Sequence, residues 1–163
     1  MAIQAGVITV SDKGSRAERE DKSGPEIVAM LESMGISVLH SKIIPDEQSL
    51  IRDALIEYAD MRKLDLILTT GGTGVSPRDL TPDATLQVIE KEVPGMAEAM
   101  RRESEKITPH AMISRALVGI RGTSLIINLP GSPKGVRENL TVILPALNHA
   151  LEKIKGDERD CGS

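Results

Sequence analysis

Short apolar runs alternate with amphipathic segments along most of the chain. In the first half, apolar runs predict buried strands at Ala5–Val10, Ser37–Ile44 and Leu64–Leu68. The charged and aperiodic segment Ser11–Lys22 is predicted to be a loop.

Helices are predicted between these strands. Ser23 stands three residues before Glu26, which is the form of a capping box, and Gly35 is a typical helix end. After the second strand, apolar residues recur about every 3.6 positions, which predicts a helix that starts at Asp46. Its apolar positions are Leu50, Ile51, Ala54, Leu55 and Tyr58.

The middle of the chain favours two more helices. Thr81 followed by Pro82 predicts the N-cap and first position of a short helix. Pro94 and Gly95 interrupt the pattern, and Met96–Ile107 is predicted to form the next helix.

A hairpin and a long helix are predicted towards the C-terminus. The apolar runs Ala116–Arg121 and Ser124–Leu129 are separated by two turn residues, so one strand should be antiparallel. A long final helix is predicted from Val136, with Pro145 expected to kink it. Its apolar positions include Leu140, Ile143, Leu147, Leu151 and Ile154.

Strands that alternate with helices imply a mostly parallel sheet covered on both faces. The predicted fold class is therefore α/β: a three-layer α/β/α domain with a mostly parallel five-stranded sheet and one antiparallel strand. Residues 1–155 are expected to form a single domain, and 156–163 a polar tail.

The predicted strands end in polar, acidic or glycine-rich segments. These segments are Ser11-Asp12, Pro45-Asp46, Thr70–Gly74 and Asn128–Lys134. Parallel sheets bind ligands beyond the carboxyl ends of their strands, so these four segments are expected to meet in one site.

Composition favours a globular enzyme or binding domain in the cytoplasm. Of 163 residues, 40% are hydrophobic and 27% charged, and no apolar run approaches the about 20 residues of a membrane helix. The N-terminus has no basic-then-apolar signal pattern. The single cysteine, Cys161, excludes a disulfide framework.

Nucleic acid is an unfavourable partner. The formal net charge is −4, and Tyr58 is the only aromatic side chain apart from histidines, so no stacking platform for bases is expected. His40, His110 and His149 lack the spacing of a zinc site.

The loop Gly71–Gly74 has two interpretations. Glycines let backbone N–H groups approach an anion closely, and Thr70 and Thr73 add hydroxyl donors. The loop lacks the Gly-Lys-Ser/Thr of a P-loop and the third glycine of a dinucleotide fingerprint. A tight turn without a ligand is the alternative.

Carboxylates near a phosphate site require a cation, and Mg²⁺ bound by one or two of them plus substrate phosphates is the usual arrangement. Asp46 and Asp79 are the candidates, although Asp46 also suits a helix N-cap and Asp79 could pair with Arg78. Asp83 is a secondary candidate that a helix dipole would also favour.

Two further segments offer polar groups with the same ambiguity. Lys134, in the Asn128–Lys134 segment, could hold a phosphate as a point charge or be a solvated lysine. Ser11 and Asp12 have the same two interpretations, as ligand contacts or as solvated polar residues.

The order of these segments resembles the MogA/MoaB family of molybdopterin-binding proteins, which is related to the G domain of gephyrin. The matching blocks are Val10–Asp12, Ile44–Glu47, Thr70–Gly74, Arg78–Ala84 and Asn128–Lys134. The resemblance covers about Ala5 to Leu151, and the chain length is closer to MoaB-type members.

The resemblance implies molybdopterin adenylyltransferase activity in molybdenum cofactor biosynthesis. In that reaction the terminal phosphate of molybdopterin attacks the α-phosphate of Mg-ATP, and pyrophosphate leaves. It also implies a homotrimer, sometimes paired into a homohexamer, and a hand-off of product to a molybdate-inserting MoeA-like protein.

The resemblance also assigns roles to residues. Asp46 and Asp79 match the acidic positions used with Mg²⁺ and are the predicted catalytic pair. The residues assigned to nucleotide and phosphate are Gly71, Gly72, Thr73, Gly74, Ser11, Asp12, Pro130 and Gly131. The residues assigned to molybdopterin are Ser132, Lys134 and Asp83.

Three alternatives remain open from the sequence. The chain could bind pterin or nucleotide without turnover, as some MoaB-type relatives do. It could insert molybdate, although it is short for the extra domains of MoeA-like proteins. It could hydrolyse nucleotide pyrophosphates, as relatives of competence-damage proteins do.

Overall fold

The computed structural model describes residues 2–159 and contains one six-stranded sheet of order β2-β1-β3-β6-β5-β4. The strands are β1 Gln4–Val10, β2 Ser37–Ile44, β3 Leu66–Thr70, β4 Lys91–Glu92, β5 Val118–Arg121 and β6 Ser124–Leu129. The helices are α1 Asp12–Ser15, α2 Ser23–Ser33, α3 Gln48–Ile56, α4 Thr81–Val88, α5 Pro94–Glu105 and α6 Pro133–Ile154. A π-helical turn, Glu57–Met61, follows α3, and a 3₁₀ turn, Pro109–Ile113, precedes β5.

The predicted fold class is confirmed. Strand β1 pairs in parallel with β2 and β3, and β3 pairs in parallel with β6. Strand β5 is antiparallel to both β6 and β4, so it alone runs against the others. The sheet has six strands rather than five because β4 is an exposed edge strand of two residues, too short to produce an apolar pattern.

Successive residues of the central strands enter two different hydrophobic cores. Val7, Leu66 and Ile127 pack with α2, α5 and α6 on one face. Ile8 and Ile67, each next in sequence to a residue of the first core, pack with α3 and α4 on the other face. This alternation explains why the strands read as continuous apolar runs and why the domain has three layers.

Several element boundaries differ from the prediction. Strand β3 runs to Thr70, two residues further than expected, so the polar loop begins directly at Gly71. The predicted loop after β1 contains the short helix α1, whose N-cap Ser11 accepts a hydrogen bond from Gly14 N–H. Helix α3 begins at Gln48 rather than Asp46.

The predicted capping box at Ser23 is wrong. Instead Asp21, one residue before the N-cap Lys22, binds the first turn of α2 through a hydrogen bond from the Gly24 amide to its carboxylate at 3.0 Å. The other oxygen of that carboxylate accepts from the hydroxyl of Thr9 at 2.7 Å. Ser23 lies inside the helix and donates its own hydroxyl to Asp21.

The C-terminal helix α6 continues past Pro145, which is exposed, and the predicted kink there stays a prediction. No helix within residues 2–159 is long and apolar enough to cross a membrane. The predicted tail 156–163 extends beyond the described residues, and Cys161 lies outside them.

Candidate active site

Backbone hydrogen bonds join the loops that follow β1, β2, β3 and β6 at one edge of the sheet. Ser11 N–H donates to Ile44 O, and Gly71 N–H donates to Leu129 O. The hydroxyl of Thr70 donates to Pro130 O at 2.6 Å. The predicted convergence of these loops is therefore present in the structure.

The loop Gly71–Gly74 needs glycine for steric reasons. Gly71 has φ +99° and Gly72 has φ +65°, which side chains rarely adopt. A Cβ on Gly71 would lie 2.3 Å from Val10 O, and a Cβ on Gly131 would lie 3.3 Å from the Gly71 Cα atom. The β1, β3 and β6 loops are therefore packed backbone to backbone.

The same loop presents unused backbone donors. Within the described chain, the amide N–H groups of Thr73, Gly74 and Val75 donate to no protein acceptor. Consecutive free amides in a glycine-rich turn are suited to an anion such as a phosphate.

Asp46 is fixed by Asp12 and does not cap α3. Asp46 Oδ2 accepts from Asp12 N–H at 2.8 Å, and Asp12 Oδ1 accepts from Asp46 N–H at 3.0 Å. Burial raises the pKa of Asp46, and the negative charges of Asp12 and Asp79 add to that effect. The fold therefore places a partly buried carboxylate beside two others.

Arg78 partly neutralises this acidic group. Its guanidinium forks onto both carboxylate oxygens of Asp12, at 2.7 and 2.9 Å. That hydrogen-bonded pair lowers the pKa of Asp12. The possibility that Asp79 pairs with Arg78 is thus not realised, because the partner of Arg78 is Asp12.

The carboxylates of Asp46 and Asp79 lie against two glycines of the same loop. A Cβ on Gly72 would be 3.2 Å from Asp46 Oδ1, and a Cβ on Gly74 would be 2.8 Å from Asp79 Oδ2. Asp79 Oδ2 also accepts from Ser76 N–H at 2.9 Å. The glycines leave the space in which these oxygens approach the loop.

This donor set fits Mg²⁺ held partly by substrate. No group of three or more His, Cys, Asp or Glu side chains in residues 2–159 forms a metal site. Mg²⁺ commonly uses one or two carboxylates with waters and substrate phosphates, rather than a cage made only of protein. Asp46 and Asp79, which lie beside a glycine-rich loop with unbonded amides, match that pattern.

Two cavities open on either side of the glycine-rich loop. The larger, about 730 Å³, is lined by residues including Ser11, Asp46, Gly71 and Gly131. The smaller, about 430 Å³, is lined by residues including Thr73, Gly74, Pro130 and Lys134. Ser132 lines both cavities, so they adjoin at the start of α6.

Some predicted site residues have other contacts. Asp83 pairs with Arg115 at 2.9 Å, and this hydrogen bond lowers the pKa of Asp83. Lys134 is exposed and lies 3.7 Å from Glu138. Asn128 is fully buried, and its amide donates to the hydroxyls of Thr69 and Thr85, so it serves the core rather than a ligand.

Sequence reasoning missed several residues that shape the site. Arg115 binds the loop, and Thr81 donates its hydroxyl to Gly71 O at 2.9 Å instead of capping α4. Asp21 also lines the larger cavity. A charged residue directly before the apolar run of β5 was the available signal for Arg115.

Comparison with known proteins agrees with this geometry. The family described as "Probable molybdopterin binding domain" matches residues 6–149. The chain belongs to the MogA/MoaB molybdopterin-binding family. Its resemblance to that family, noted from the sequence, is thereby confirmed.

Similar members of the MogA/MoaB family come from bacteria and from a eukaryote. The molybdopterin adenylyltransferase of Helicobacter pylori strain J99 is 44% identical over 157 residues, covering 95% of this chain and 89% of that protein. The gephyrin of Dictyostelium discoideum is 46% identical over 156 residues, covering 90% of this chain but only 22% of gephyrin. The crystal structure of the molybdopterin biosynthesis enzyme MoaB from Thermus thermophilus has a TM-score of 0.90 at 48% identity, covering 94% of this chain and 97% of that one.

Proposed function

We propose that this MogA/MoaB-family chain is a molybdopterin adenylyltransferase in molybdenum cofactor biosynthesis. The name of the similar H. pylori protein supports this activity, and that protein is matched over most of its length. The structural observation that supports it most is a pair of adjoining cavities separated by one loop with free amides. Adjoining cavities would bring two phosphate-bearing substrates close enough to react.

The larger cavity is proposed to hold ATP. Ser11, Gly71 and Gly131 line it. Thr73 and Gly74 line the adjoining smaller cavity, and their amides are proposed to bind phosphate oxygens of ATP that extend to that side of the loop. Asp12, held by Arg78, keeps Asp46 in place through the reciprocal backbone bonds. The main task of these residues is to position phosphates and stabilise their charge.

The smaller cavity is proposed to hold molybdopterin. Ser132 and Lys134 line it, so the terminal phosphate of the pterin could lie near Ser132, where the cavities adjoin. An oxygen of that phosphate then bonds to the α-phosphorus of ATP, and the bond from that phosphorus to the bridging oxygen breaks. Pyrophosphate is released with the bridging oxygen. Asp83 contributes indirectly, through Arg115.

Mg²⁺ is proposed to bind Asp46 and Asp79 together with the phosphates of ATP. When bound, it would neutralise the charge that builds up between the two anionic substrates. The raised pKa of Asp46 fits this role. Burial and the neighbouring negative charges destabilise its ionised form, and a bound cation would stabilise that form.

Assembly and location follow as further parts of the proposal. We expect a homotrimer or a homohexamer in the cytoplasm, which passes adenylylated molybdopterin to a molybdate-inserting MoeA-like protein. Neither nucleic acid nor membrane is proposed as a partner.

The decisive experiment combines the purified protein with Mg²⁺, α-labelled ATP and freshly prepared molybdopterin. Labelled adenylyl-molybdopterin that depends on the pterin is the expected product, with a reaction lacking pterin as control. Pyrophosphate released without pterin would indicate a hydrolase instead. Binding of both ligands without product would indicate a non-catalytic binding protein.

A further inference from the structure

Arg115, outside both cavities, makes several hydrogen bonds to the segment that forms the loop. Its Nε donates to Gly74 O at 2.8 Å, and Nη2 donates to Asp79 O. Its backbone N–H donates to Thr73 O at 2.8 Å. The same guanidinium pairs with Asp83 on α4. One residue thus connects the loop after β3, helix α4 and the stretch before β5.

These bonds determine which way the free amides point. In a trans peptide the carbonyl and the following N–H point in opposite directions, and the described chain has no cis peptide. Because the carbonyls of Thr73 and Gly74 face Arg115, the N–H groups of Gly74 and Val75 face away from it. These are amides that bind no protein acceptor.

Arg115 also holds the residue that bears the second carboxylate. Its bond to Asp79 O fixes the backbone of Asp79, and the Asp79 carboxylate then accepts from Ser76 N–H. Without the Arg115 side chain, the segment from Gly74 to Asp79 would keep its own turn bonds and the fork from Arg78 to Asp12. The Asp79 carboxylate and the Val75 amide would then no longer be held in a fixed position relative to each other.

We propose that Arg115 is a positioning residue: its side chain turns the Val75 amide and the Asp79 carboxylate towards substrate phosphates. Its backbone N–H, which substitution leaves in place, orients the Gly74 amide. The identity of those phosphates rests on the proposed function. The orientation of the segment does not, and it can be measured on the protein alone.

The first test is hydrogen exchange on Arg115→Met without ligands. We expect the hydrogen-bonded amides of Ser76, Asp79 and Thr81 to exchange at least ~10-fold faster than in the wild type, while amides of β1 and β6 stay protected. Arg121→Met is the matched control, because the Arg121 guanidinium also pairs with one carboxylate, Asp60, and donates to a backbone carbonyl, that of Val88, whereas Arg115 donates to two. Unchanged exchange in residues 71–83 of Arg115→Met would overturn the proposal.

The second test is calorimetric binding of pyrophosphate in the presence of Mg²⁺. Arg115→Met should bind at least ~10-fold more weakly than wild type, and Arg121→Met should bind normally. Arg115→Lys keeps the charge but not the fork, so it should recover only part of the loss. Equal binding by wild type and Arg115→Met would contradict the role in presenting the amides.

A double-mutant cycle separates positioning from general destabilisation. If Arg115 acts partly through Asp79, adding Arg115→Met to the wild type should reduce the adenylylation rate ~10- to 100-fold. Adding it to Asp79→Asn should reduce the rate by much less. Equal losses in both backgrounds would mean that Arg115 does not act through Asp79. If the wild type neither adenylylates nor binds pyrophosphate, the proposed function fails, and hydrogen exchange alone decides the role of Arg115.

Discussion

At the scale of single residues, hydrogen bonds give similar carboxylates different states. Asp12 is held ionised by the fork from Arg78, whereas burial raises the pKa of Asp46. Asp83 is committed to Arg115. Among residues 2–159, Asp46 and Asp79 are therefore the carboxylates that lie against the glycine-rich loop and have no ion-pair partner.

Replacing Asp79 by Asn is expected to reduce the adenylylation rate at least ~100-fold while the protein stays folded. The amide oxygen of Asn can still accept from Ser76 N–H, but the charge is lost. The rate is measured with labelled ATP, and folding by circular dichroism. Asp53→Asn is the control, since Asp53 is exposed and pairs with neighbouring Arg52. Normal turnover by Asp79→Asn would reject the metal assignment.

Tyr58 offers a pH-dependent signal, because the chain has one tyrosine and no tryptophan. Burial raises the pKa of Tyr58 to about 12, and the charge of Glu57 adds to the effect. Because the pKa of Tyr58 is higher in the folded than in the unfolded state, protonated Tyr58 contributes to folding stability. That contribution is complete below the unfolded pKa, about 10. It is then lost as the pH rises towards 12.

The measurement for Tyr58 is the ultraviolet absorbance of tyrosinate during an alkaline titration. The folded protein should titrate close to pH 12, provided circular dichroism shows that it remains folded. In urea the midpoint should return to about 10. A midpoint near that unfolded value in the folded protein would show that Tyr58 is not buried.

At the scale of elements, the loop after β3 depends on close contact between three strand ends. Gly71→Ala should lower the free energy of unfolding by at least ~2 kcal/mol, because the φ of +99° is unfavourable and the new Cβ would lie 2.3 Å from Val10 O. Urea unfolding measures the change. Gly95→Ala is the matched control, since a Cβ there meets nothing within 4 Å and should not lower stability. Equal stability of both variants would refute the close packing.

At the scale of the whole molecule, large apolar side chains remain exposed on the single chain. Leu39 and Ile43 lie on the edge strand β2, and Met112 and Ile113 lie on the 3₁₀ turn near the smaller cavity. Exposed apolar surface of this kind is typical of interaction sites. Light scattering after size exclusion should therefore give three or six chain masses, and a monomer alone would reject the proposed trimer.

The amino-acid sequence by itself determined the α/β class, the single antiparallel strand and the meeting of four polar loops at one sheet edge. It could do so because hydrophobic periodicity and the carboxyl-end rule depend on local pattern. The blocks around Gly71–Gly74 and Asp79 were equally sufficient to indicate the MogA/MoaB family.

Only the tertiary structure decided which polar residues face the site. No local sequence signal predicts the two-residue strand β4, the bond from Gly24 N–H to Asp21, or the reciprocal bonds between Asp12 and Asp46. The packing of the folded chain determines which groups meet in each case. The fork of Arg78 spans 66 residues, and the contact of Arg115 with Gly74 spans 41. Contacts between residues so far apart in the chain depend on how the sheet and its helices pack. They therefore cannot be predicted from local patterns in a single sequence.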